Sequence, residues 1–434
     1  MGRCERAERR SRSSFAVRLP QLLLNIAHSR LTTLVNSDYE YYKILKSKSL
    51  WPVNFMEEQD WSGRGQHAEF QPDERNRVDE ILNVQELLGS TSSAIVYSVK
   101  CKRIFLARKT ILCNRRMTKA KAIEEVAHLY RLSHAHVVRV VGTYTLGSEL
   151  SILIYPVAEY NLETFLDRLI SRAPAGPGWI TMLRALPQFI GCLANAMAHI
   201  HERMTKHMDI KPKNLLVRHV CIPPGDPRHD SGGLFAYKVY IADFGIARSY
   251  ATLEDMETEG PTMFTRKYAA PEVVDKDRRG RPADIFSLGC VFVEIYVTWL
   301  SAVQLRSAHV RHDGAGHVIK REAEDSPLAM LRDLLMANSS GDASYQANID
   351  AVQNFLNSMS ENTGLELRQL AQGMIFEDPA KRFTAVHLVN RVGTAPCCKA
   401  GSDRLEAARW KEIEVEEEYN IESGTRTVLS FRDA

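Results

Sequence analysis

Three polar side chains lie close together in the segment HMDIKPKN, residues 207 to 214. Asp209, Lys211 and Asn214 supply a carboxylate, an ammonium group and an amide. Proline has no N–H and disfavours a helical residue before it, so a regular helix cannot run through Pro212. The segment is therefore predicted to be a loop that holds the three polar groups in fixed directions.

Three more charged residues could act together with this loop in binding phosphates and a metal ion. Asp243 follows the apolar run YKVY, and the glycine of the sequence DFG frees the backbone to aim that carboxylate at a metal ion. Lys109 ends the run LARK, and Glu125, on the next helix, can pair with a buried lysine. Lys109, Asn214 and Asp243 are then expected to hold nucleotide phosphates and Mg²⁺. Asp209 is expected to orient a hydroxyl group and accept its proton.

Strands must position the first of these residues and helices the later ones. Strand-like runs fill residues 80 to 112 and 151 to 158, with a helical segment at 118 to 134 between them. Beyond residue 160 the apolar spacing is helical over 183–204, 284–300 and 364–376. This order predicts an α+β fold in which a small β-rich part precedes a larger helical part.

The composition is that of an ordinary folded protein. The chain has 434 residues, 44% hydrophobic and 25% charged, with a formal net charge of +3. Such a small charge argues against nucleic acid or a membrane as the main partner. The apolar run 285–300 is shorter than the roughly 20 residues of a membrane-spanning helix and contains Glu294. It is predicted to be a buried core helix, and no transmembrane segment is expected.

The cysteines indicate a reducing compartment. Eight cysteines are scattered along the chain, and none forms a CxxC pair, so no zinc site is expected. They are interpreted as reduced thiols of a cytoplasmic or nuclear protein. The adjacent pair Cys397 and Cys398 leaves redox activity as an alternative.

Together these motifs resemble those of the protein kinase family. The Gly-rich loop, strand lysine, helix glutamate, catalytic loop, DFG and APE motifs of that family occur here in order, as LGSTSSAIV, Lys109, Glu125, HMDIKPKN, DFG and AAPE. The later segments DIFSLG and DPAKR are also similar to family segments. The resemblance spans about 82 to 392, and so many motifs in one order make chance a poor explanation.

The resemblance implies a bilobal protein kinase-like fold, with ATP and Mg²⁺ as ligands. Asn214 and Asp243 are expected to hold the metal, and Asp209 and Lys211 to act in catalysis. The residues expected at the nucleotide are Gly89, Val96, Ala107, Lys109, Glu125 and Ala158.

Five other residues are expected to stabilise the fold rather than to take part in the chemistry. His207 is expected to pack with Phe244 and support the loop. Asp284 is expected to cap the backbone of the catalytic loop. Glu272 and Arg382 are expected to form a buried ion pair.

Two features are typical of the Ser/Thr class within that family. Lys211 lies two residues after the candidate catalytic Asp209, and Thr265 lies in the sequence TRKYAAPE. The expected substrate is therefore a protein with Ser or Thr hydroxyls. A kinase of small metabolites shares the fold, but Thr265 and the APE segment belong to a platform for peptide substrates.

Three features depart from the family pattern, and the first two of them favour a second hypothesis. Only Gly89 remains in the Gly-rich loop, with Thr91 and Ala94 at the next two glycine positions, so weaker ATP affinity is expected. Met208 replaces an Arg that in many kinases pairs with a phosphate on the activation loop. Pro156, in the expected hinge, offers adenine no N–H. The alternative to an active kinase is a pseudokinase that acts as a nucleotide-binding scaffold or interaction module.

Four regions are expected along the chain. They are an N-terminal extension, partly disordered (1–81), a kinase N-lobe (82–158), a kinase C-lobe (159–392) and an acidic C-terminal tail (393–434). Within the extension, residues 19–35 are predicted to form an amphipathic helix and 61–77 to be a linker.

Overall fold

The computed structural model divides the chain into two compact units. Unit 1 comprises Met1–Ala127 and Val140–Tyr155, and unit 2 comprises His128–Arg139 and Pro156–Ala434. The residues described are 40–54, 58–90, 94–115, 117–172, 177–220, 236–245, 248–249, 265–275, 280–310, 326–359, 364–394 and 396–399. The predicted helix at 19–35 and the acidic residues of the predicted tail lie outside them.

Unit 1 is built on a six-stranded sheet with the strand order β1-β5-β6-β4-β3-β2. Its strands are β1 (His67–Phe70), β2 (Leu82–Ser90), β3 (Ala94–Cys101), β4 (Ile104–Leu112), β5 (Arg139–Leu146) and β6 (Glu149–Tyr155). The helices are α1 (Glu40–Ser47), α2 (Arg75–Ile81) and α3 (Lys119–Arg131), of which α3 begins in this unit. The pairs β2–β3, β3–β4 and β4–β6 are antiparallel, and β1 pairs parallel with β5.

The prediction of a linker at 61–77 is wrong. This segment contains β1, a 3₁₀ turn at Pro72–Glu74 and the start of α2. Trp61 and Phe70 are buried in the core of the sheet, and their rings pack at a 6.3 Å centroid distance. The polar and glycine-rich composition of this segment concealed the strand, because the two buried aromatics, Trp61 before β1 and Phe70 at its end, are nine residues apart.

Residues before β1 also pack into unit 1. Tyr41, Tyr42 and Leu45 of α1 are buried. The Tyr41 hydroxyl forms a hydrogen bond with the hydroxyl of Thr143 on β5, and the Tyr42 hydroxyl donates to the His67 carbonyl at 3.1 Å. The described part of the N-terminal extension is therefore a folded part of this unit.

Gly142, on β5, is required by the close approach of this segment. A Cβ at Gly142 would lie 2.4 Å from the carbonyl oxygen of Gln66 and 2.4 Å from Nε1 of Trp61. Trp61 Nε1 donates a hydrogen bond to that same carbonyl at 2.9 Å. Only a residue without a side chain fits beside this contact.

Unit 2 is mainly helical. Its helices are α4 (Leu162–Ser171), α5 (Pro177–Glu202), α6 (Pro271–Val274), α7 (Arg281–Val310), α8 (Pro327–Met336), α9 (Ile349–Ser358), α10 (Leu365–Gln372), α11 (Ala385–Val392) and α12 (Pro396–Lys399). Its short strands are β7 (Tyr160–Asn161), β8 (Thr205–Lys206), β9 (Leu215–His219), β10 (Tyr237–Ile241) and β11 (Arg248–Ser249). They form an antiparallel sheet β10-β9-β7 and a pair β11-β8.

The apolar run predicted to be a core helix lies within α7. By length and hydropathy alone the segment Arg281–Ser307 is a candidate membrane span, the one such candidate among the described residues. However, 83% of its most apolar window is buried inside the protein. The helix is apolar because it packs in the core of unit 2.

The predicted ion pair between Glu272 and Arg382 is confirmed. Nη1 and Nη2 of Arg382 each donate to one oxygen of Glu272, at 2.7 and 2.8 Å. Arg382 also donates to three backbone carbonyls, and both side chains are buried. A bidentate pair with its remaining donors satisfied joins α6 to the segment before α11.

Candidate active site

Three of the predicted nucleotide residues of unit 1 are neighbours across the sheet. Gly89 on β2 pairs with Val96 on β3, and Val96 pairs with Lys109 on β4. Directly opposite residues of an antiparallel sheet share a face, and so do residues two apart on one strand. Gly89, Val96, Lys109 and Ala107 therefore lie on the same face of this sheet.

Lys109 is fixed by Glu125, as the sequence predicts. The Nζ of Lys109 donates to both carboxylate oxygens of Glu125, each at 2.8 Å. The Lys109 side chain is 17% exposed and that of Glu125 is 7% exposed. Because the pair is largely withdrawn from water, solvent screens it little, and the glutamate holds the ammonium group in one position at the sheet.

In unit 2, Asp209 is the centre of a hydrogen-bond network. Its Oδ2 accepts from Lys211 Nζ at 2.6 Å and from Asn214 Nδ2 at 3.0 Å. Its Oδ1 accepts from the Thr265 hydroxyl at 2.8 Å. Lys211 Nζ also donates to the Thr265 oxygen at 2.8 Å. The predicted loop therefore holds a carboxylate, an ammonium group, an amide and a hydroxyl in direct contact.

Asp243 follows β10 and lies next to this loop. The N–H of Ala242 donates to the carbonyl of Asn214 at 2.9 Å, which brings the next residue, Asp243, close to Asn214. Asp243 is exposed and has a left-handed backbone (φ 62°), while the following Phe244 is buried. Both amide hydrogen bonds of Asn214 to Asp209 use Nδ2, so Oδ1 is the amide atom left to act as a ligand.

Asp284, at the start of α7, caps the catalytic loop as predicted. Its Oδ2 accepts from the N–H of His207 at 2.9 Å, and its Oδ1 accepts from the N–H of Met208 at 2.8 Å. His201 Nε2 lies 3.1 Å from Oδ2. Burial alone would raise the pKa of Asp284, but the hydrogen bond and charge of His201 and the charge of His207 outweigh it and lower the pKa.

His207 and Met208 shape the loop in different ways. His207 is buried, with its ring 4.6 Å from that of Phe244 and its Nε2 3.0 Å from the Ala242 carbonyl, so the predicted packing is confirmed. Met208 has a left-handed backbone (φ 70°). That conformation is unusual for a residue with a side chain, and here the hydrogen bond to Asp284 stabilises it.

The remaining predicted positions are less defined by contacts. Ala158 lies in the segment after β6 and is half-buried. Thr91, which belongs to the predicted Gly-rich loop, lies outside the described residues. A Cβ at Gly89 would meet no protein atom within 4 Å, so packing inside the protein does not require glycine there.

One contact of this site is not predicted from the sequence. Thr265, which the motif marks only as typical of the Ser/Thr class, bridges Asp209 and Lys211. These residues are more than 50 positions apart in the sequence. The fixed spacing of Thr265 before the APE motif was the signal that could have revealed it.

A comparison with protein-family models agrees with this arrangement. The family described as "Protein kinase domain" matches residues 82–392, which is most of the chain. The chain belongs to the protein kinase family. The match begins at the first residue of β2 and ends at the last residue of α11. ATP is the substrate that the family implies, with a divalent metal ion as its usual companion.

Several curated kinases are similar to this one. Cell division control protein 2 homolog 2 of Trypanosoma brucei brucei is 29% identical over 52% of this chain and 57% of its own length. Cyclin-dependent kinase 4 of Bos taurus is 31% identical over 40% of this chain and 51% of its own. Serine/threonine-protein kinase crk1 of Schizosaccharomyces pombe is 29% identical over 40% and 44%. The kinase thus spans about half the length of the curated relatives it matches.

Proposed function

We propose that this protein kinase is catalytically active and transfers the γ-phosphate of ATP to Ser and Thr hydroxyls of protein substrates. The observation that carries the proposal is the network around Asp209. A carboxylate that accepts an O–H hydrogen bond from Thr265 can accept the same bond from a substrate alcohol. The similarity of this chain to serine/threonine-protein kinase crk1 supports this substrate class.

Catalysis in this proposal consists of positioning and electrostatics. Asp209 orients the substrate hydroxyl and accepts its proton as the oxygen attacks the γ-phosphorus. Lys211, 2.6 Å from Asp209, places a positive charge where the phosphoryl group passes. Asn214 keeps Asp209 oriented through two amide hydrogen bonds, one to the carboxylate Oδ2 and one to the backbone carbonyl of Asp209. The hydrogen bonds of Asp209, Lys211 and Asn214 are therefore compatible with the roles proposed for them.

Lys109 and Glu125 serve nucleotide binding in this proposal. The ammonium group of Lys109 is held at one face of the sheet and pairs with phosphate oxygens. Gly89 and Val96, its neighbours across the strands, lie on the same face. The open space beside Gly89 suits the close approach of a phosphate to the backbone.

Asn214 and Asp243 fit a magnesium ion. A carboxylate and an amide oxygen are hard ligands of the kind that Mg²⁺ prefers. Mg²⁺ neutralises charge on the phosphates when it is bound. The left-handed backbone of Asp243 and the hydrogen bond of Ala242 to Asn214 hold these two ligands on neighbouring segments.

A nucleotide-binding scaffold is the second candidate function. Thr91 and Ala94 replace two glycines of the Gly-rich loop, and Met208 replaces an arginine. These changes affect nucleotide affinity and regulation. The direct chemical residues Lys109, Asp209 and Asp243 are all present, which favours the active kinase.

The test is transfer of labelled γ-phosphate from ATP·Mg²⁺ to a generic basic protein, followed by identification of the phosphorylated amino acid. Wild type is compared with Asp209→Asn and Lys211→Met. Lys213→Met is the matched control, because Lys213 lies two residues further on, its side chain is 64% exposed, and its Nζ forms a salt bridge with Glu163 at 3.5 Å.

Phosphoserine or phosphothreonine made by wild type and Lys213→Met, and lost in the other two variants, supports the proposal. Phosphotyrosine as the sole product contradicts the substrate class. Magnesium-dependent nucleotide binding by wild type without any transfer favours the scaffold.

A further inference from the structure

Four potential metal ligands, none of them a residue of the catalytic loop, converge in unit 2. They are His136, which follows α3, Cys192 on α5, and Cys397 and Cys398 on α12. One ligand atom from each residue lies within 4.8 Å of all the others. His136 and Cys192 are buried, and the two adjacent cysteines are half-buried.

The distances match those of ligands that share one metal ion. The sulfur of Cys397 lies 3.7 Å from that of Cys192 and 3.9 Å from that of Cys398. A tetrahedral Zn²⁺ with Zn–S bonds of about 2.3 Å holds its sulfurs about 3.8 Å apart. His136 Nε2 lies 3.2 Å from the Cys397 sulfur, about 0.4 Å shorter than the tetrahedral nitrogen–sulfur separation.

The imidazole of His136 is already oriented as a ligand. Its Nδ1 lies 2.7 Å from the carbonyl oxygen of Val239 on β10, a group that can only accept a hydrogen bond. Nδ1 therefore carries the proton, and Nε2, which faces the cysteines, keeps its lone pair. A backbone carbonyl on the second ring nitrogen is the usual support of a metal-bound histidine.

The backbone holds the last ligands in place. Asn195, one turn after Cys192 on α5, donates through Nδ2 to the carbonyl of Gly393 at 3.0 Å. This hydrogen bond ties the chain after α11 to α5, four residues before Cys397. The approach of α12 to Cys192 is thus supported by a contact outside the cluster.

We propose that His136, Cys192, Cys397 and Cys398 form a structural Zn²⁺ site. Four protein ligands close the coordination sphere, as in structural rather than catalytic zinc sites. On binding, the three thiols lose three protons, the three thiolates and the neutral imidazole coordinate the ion, and no oxidant is involved. The absence of a CxxC pair in the sequence does not exclude such a site, because these ligands come from three distant segments.

The test is the zinc content of the full-length chain. Protein is purified under reducing conditions, incubated with one molar equivalent of Zn²⁺, separated from unbound metal by desalting and analysed by elemental mass spectrometry. The compared variants are wild type, Cys397→Ser with Cys398→Ser, and Cys113→Ser as a matched control thiol outside the cluster. The expected result is one zinc per chain in wild type and control, and a loss of nearly all zinc in the double variant.

Cobalt substitution of wild type keeps the test decisive even where the double variant folds poorly. Tetrahedral Co²⁺ with three thiolates gives intense charge-transfer and d–d absorption, and this spectrum is expected at one Co²⁺ per chain. Absence of both zinc and this spectrum in the reduced wild type overturns the proposal. Zinc retained by the double variant, or a disulfide among these cysteines in the protein as isolated from a reducing lysate, also overturns it.

Discussion

The two units hold their functional side chains by different means. In unit 1, Lys109 is positioned by one ion pair with Glu125 and by the register of three strands. In unit 2, Asp209 is positioned by its neighbours in a loop whose backbone is bound by the buried Asp284. Unit 1 thus relies on one charge contact and unit 2 on a redundant network. This difference predicts that variants of the Lys109–Glu125 pair alter nucleotide affinity, whereas variants of Asp209 alter turnover and variants of its cap, Asp284, alter folding.

The largest effect is expected for Asp209→Asn. The amide cannot accept a proton from the substrate hydroxyl, so kcat should fall by about 10²- to 10⁴-fold. The affinity for ATP·Mg²⁺ should remain, because the phosphate-binding residues are untouched. Steady-state kinetics and nucleotide titration of the same preparation test this. A raised Kd for ATP with an unchanged kcat would break the proposed division between the units.

Asp284→Asn tests how much the catalytic loop depends on its cap. The variant keeps one acceptor but turns an N–H group toward the backbone donors of His207 and Met208. Loss of a charged acceptor for buried donors should lower the free energy of unfolding by about 3 kcal/mol. Urea denaturation measures it, with Asp333→Asn as the control, because Asp333 is exposed on α8. Equal stabilities of the two variants would contradict the capping role.

His67 is expected to make the stability of unit 1 sensitive to pH. Burial lowers the pKa of His67 to about 4, whereas an exposed histidine has a pKa of about 6.5. Between these values the unfolded chain takes up a proton that the folded chain does not. The free energy of unfolding should therefore fall as pH drops through this window, by up to about 3 kcal/mol from this residue.

The free energies of unfolding of wild type and His67→Asn, each measured at pH 7 and pH 5, isolate the contribution of His67. The variant should be less stable at pH 7 but lose less stability on acidification. His134, whose pKa burial lowers to about 3, acts in the same direction in both proteins. Parallel losses in wild type and variant would remove His67 as the cause.

Glu125→Gln is expected to weaken nucleotide binding. Without the carboxylate, Lys109 is no longer held, and the apparent affinity for ATP should fall roughly 10- to 150-fold, equivalent to about 1.5–3 kcal/mol. Glu124→Gln is the control on the same helix, because Glu124 is exposed and pairs with Lys48 at 2.8 Å. A similar change in both variants would indicate a general effect of charge.

The smallest effect is expected for Gly142→Ala. The new methyl group meets the Gln66 carbonyl and the Trp61 ring, so unit 1 should lose about 1–3 kcal/mol of stability. Gly178→Ala in α5 is the matched control, since a Cβ there meets no atom within 4 Å. That variant should be neutral or up to about 1 kcal/mol more stable, because alanine favours a helix. Thermal unfolding of the two variants measures this difference in stability.

The sequence predicted local features well and long-range ones unevenly. The catalytic loop, the cap at Asp284 and the pair of Lys109 with Glu125 were predictable because short motifs or a known spacing encode them. Strand β1 was not, since parallel pairing with β5 depends on Trp61 and Phe70 reaching a core made elsewhere in the chain. The cluster around Cys192 was hidden for the same reason: its ligands come together only through the packing of α12 and His136 near α5.

The hydrogen bonds of Asp284 to the backbone of the catalytic loop have a consequence for Met208. The cap binds the main chain of residue 208 and makes no use of its side chain. In many kinases the side chain at this position is an arginine that pairs with an activation-loop phosphate. The cap and such a phosphate contact would therefore depend on different atoms of the same residue. We expect a substitution at position 208 to change the side-chain contact while the loop keeps its shape.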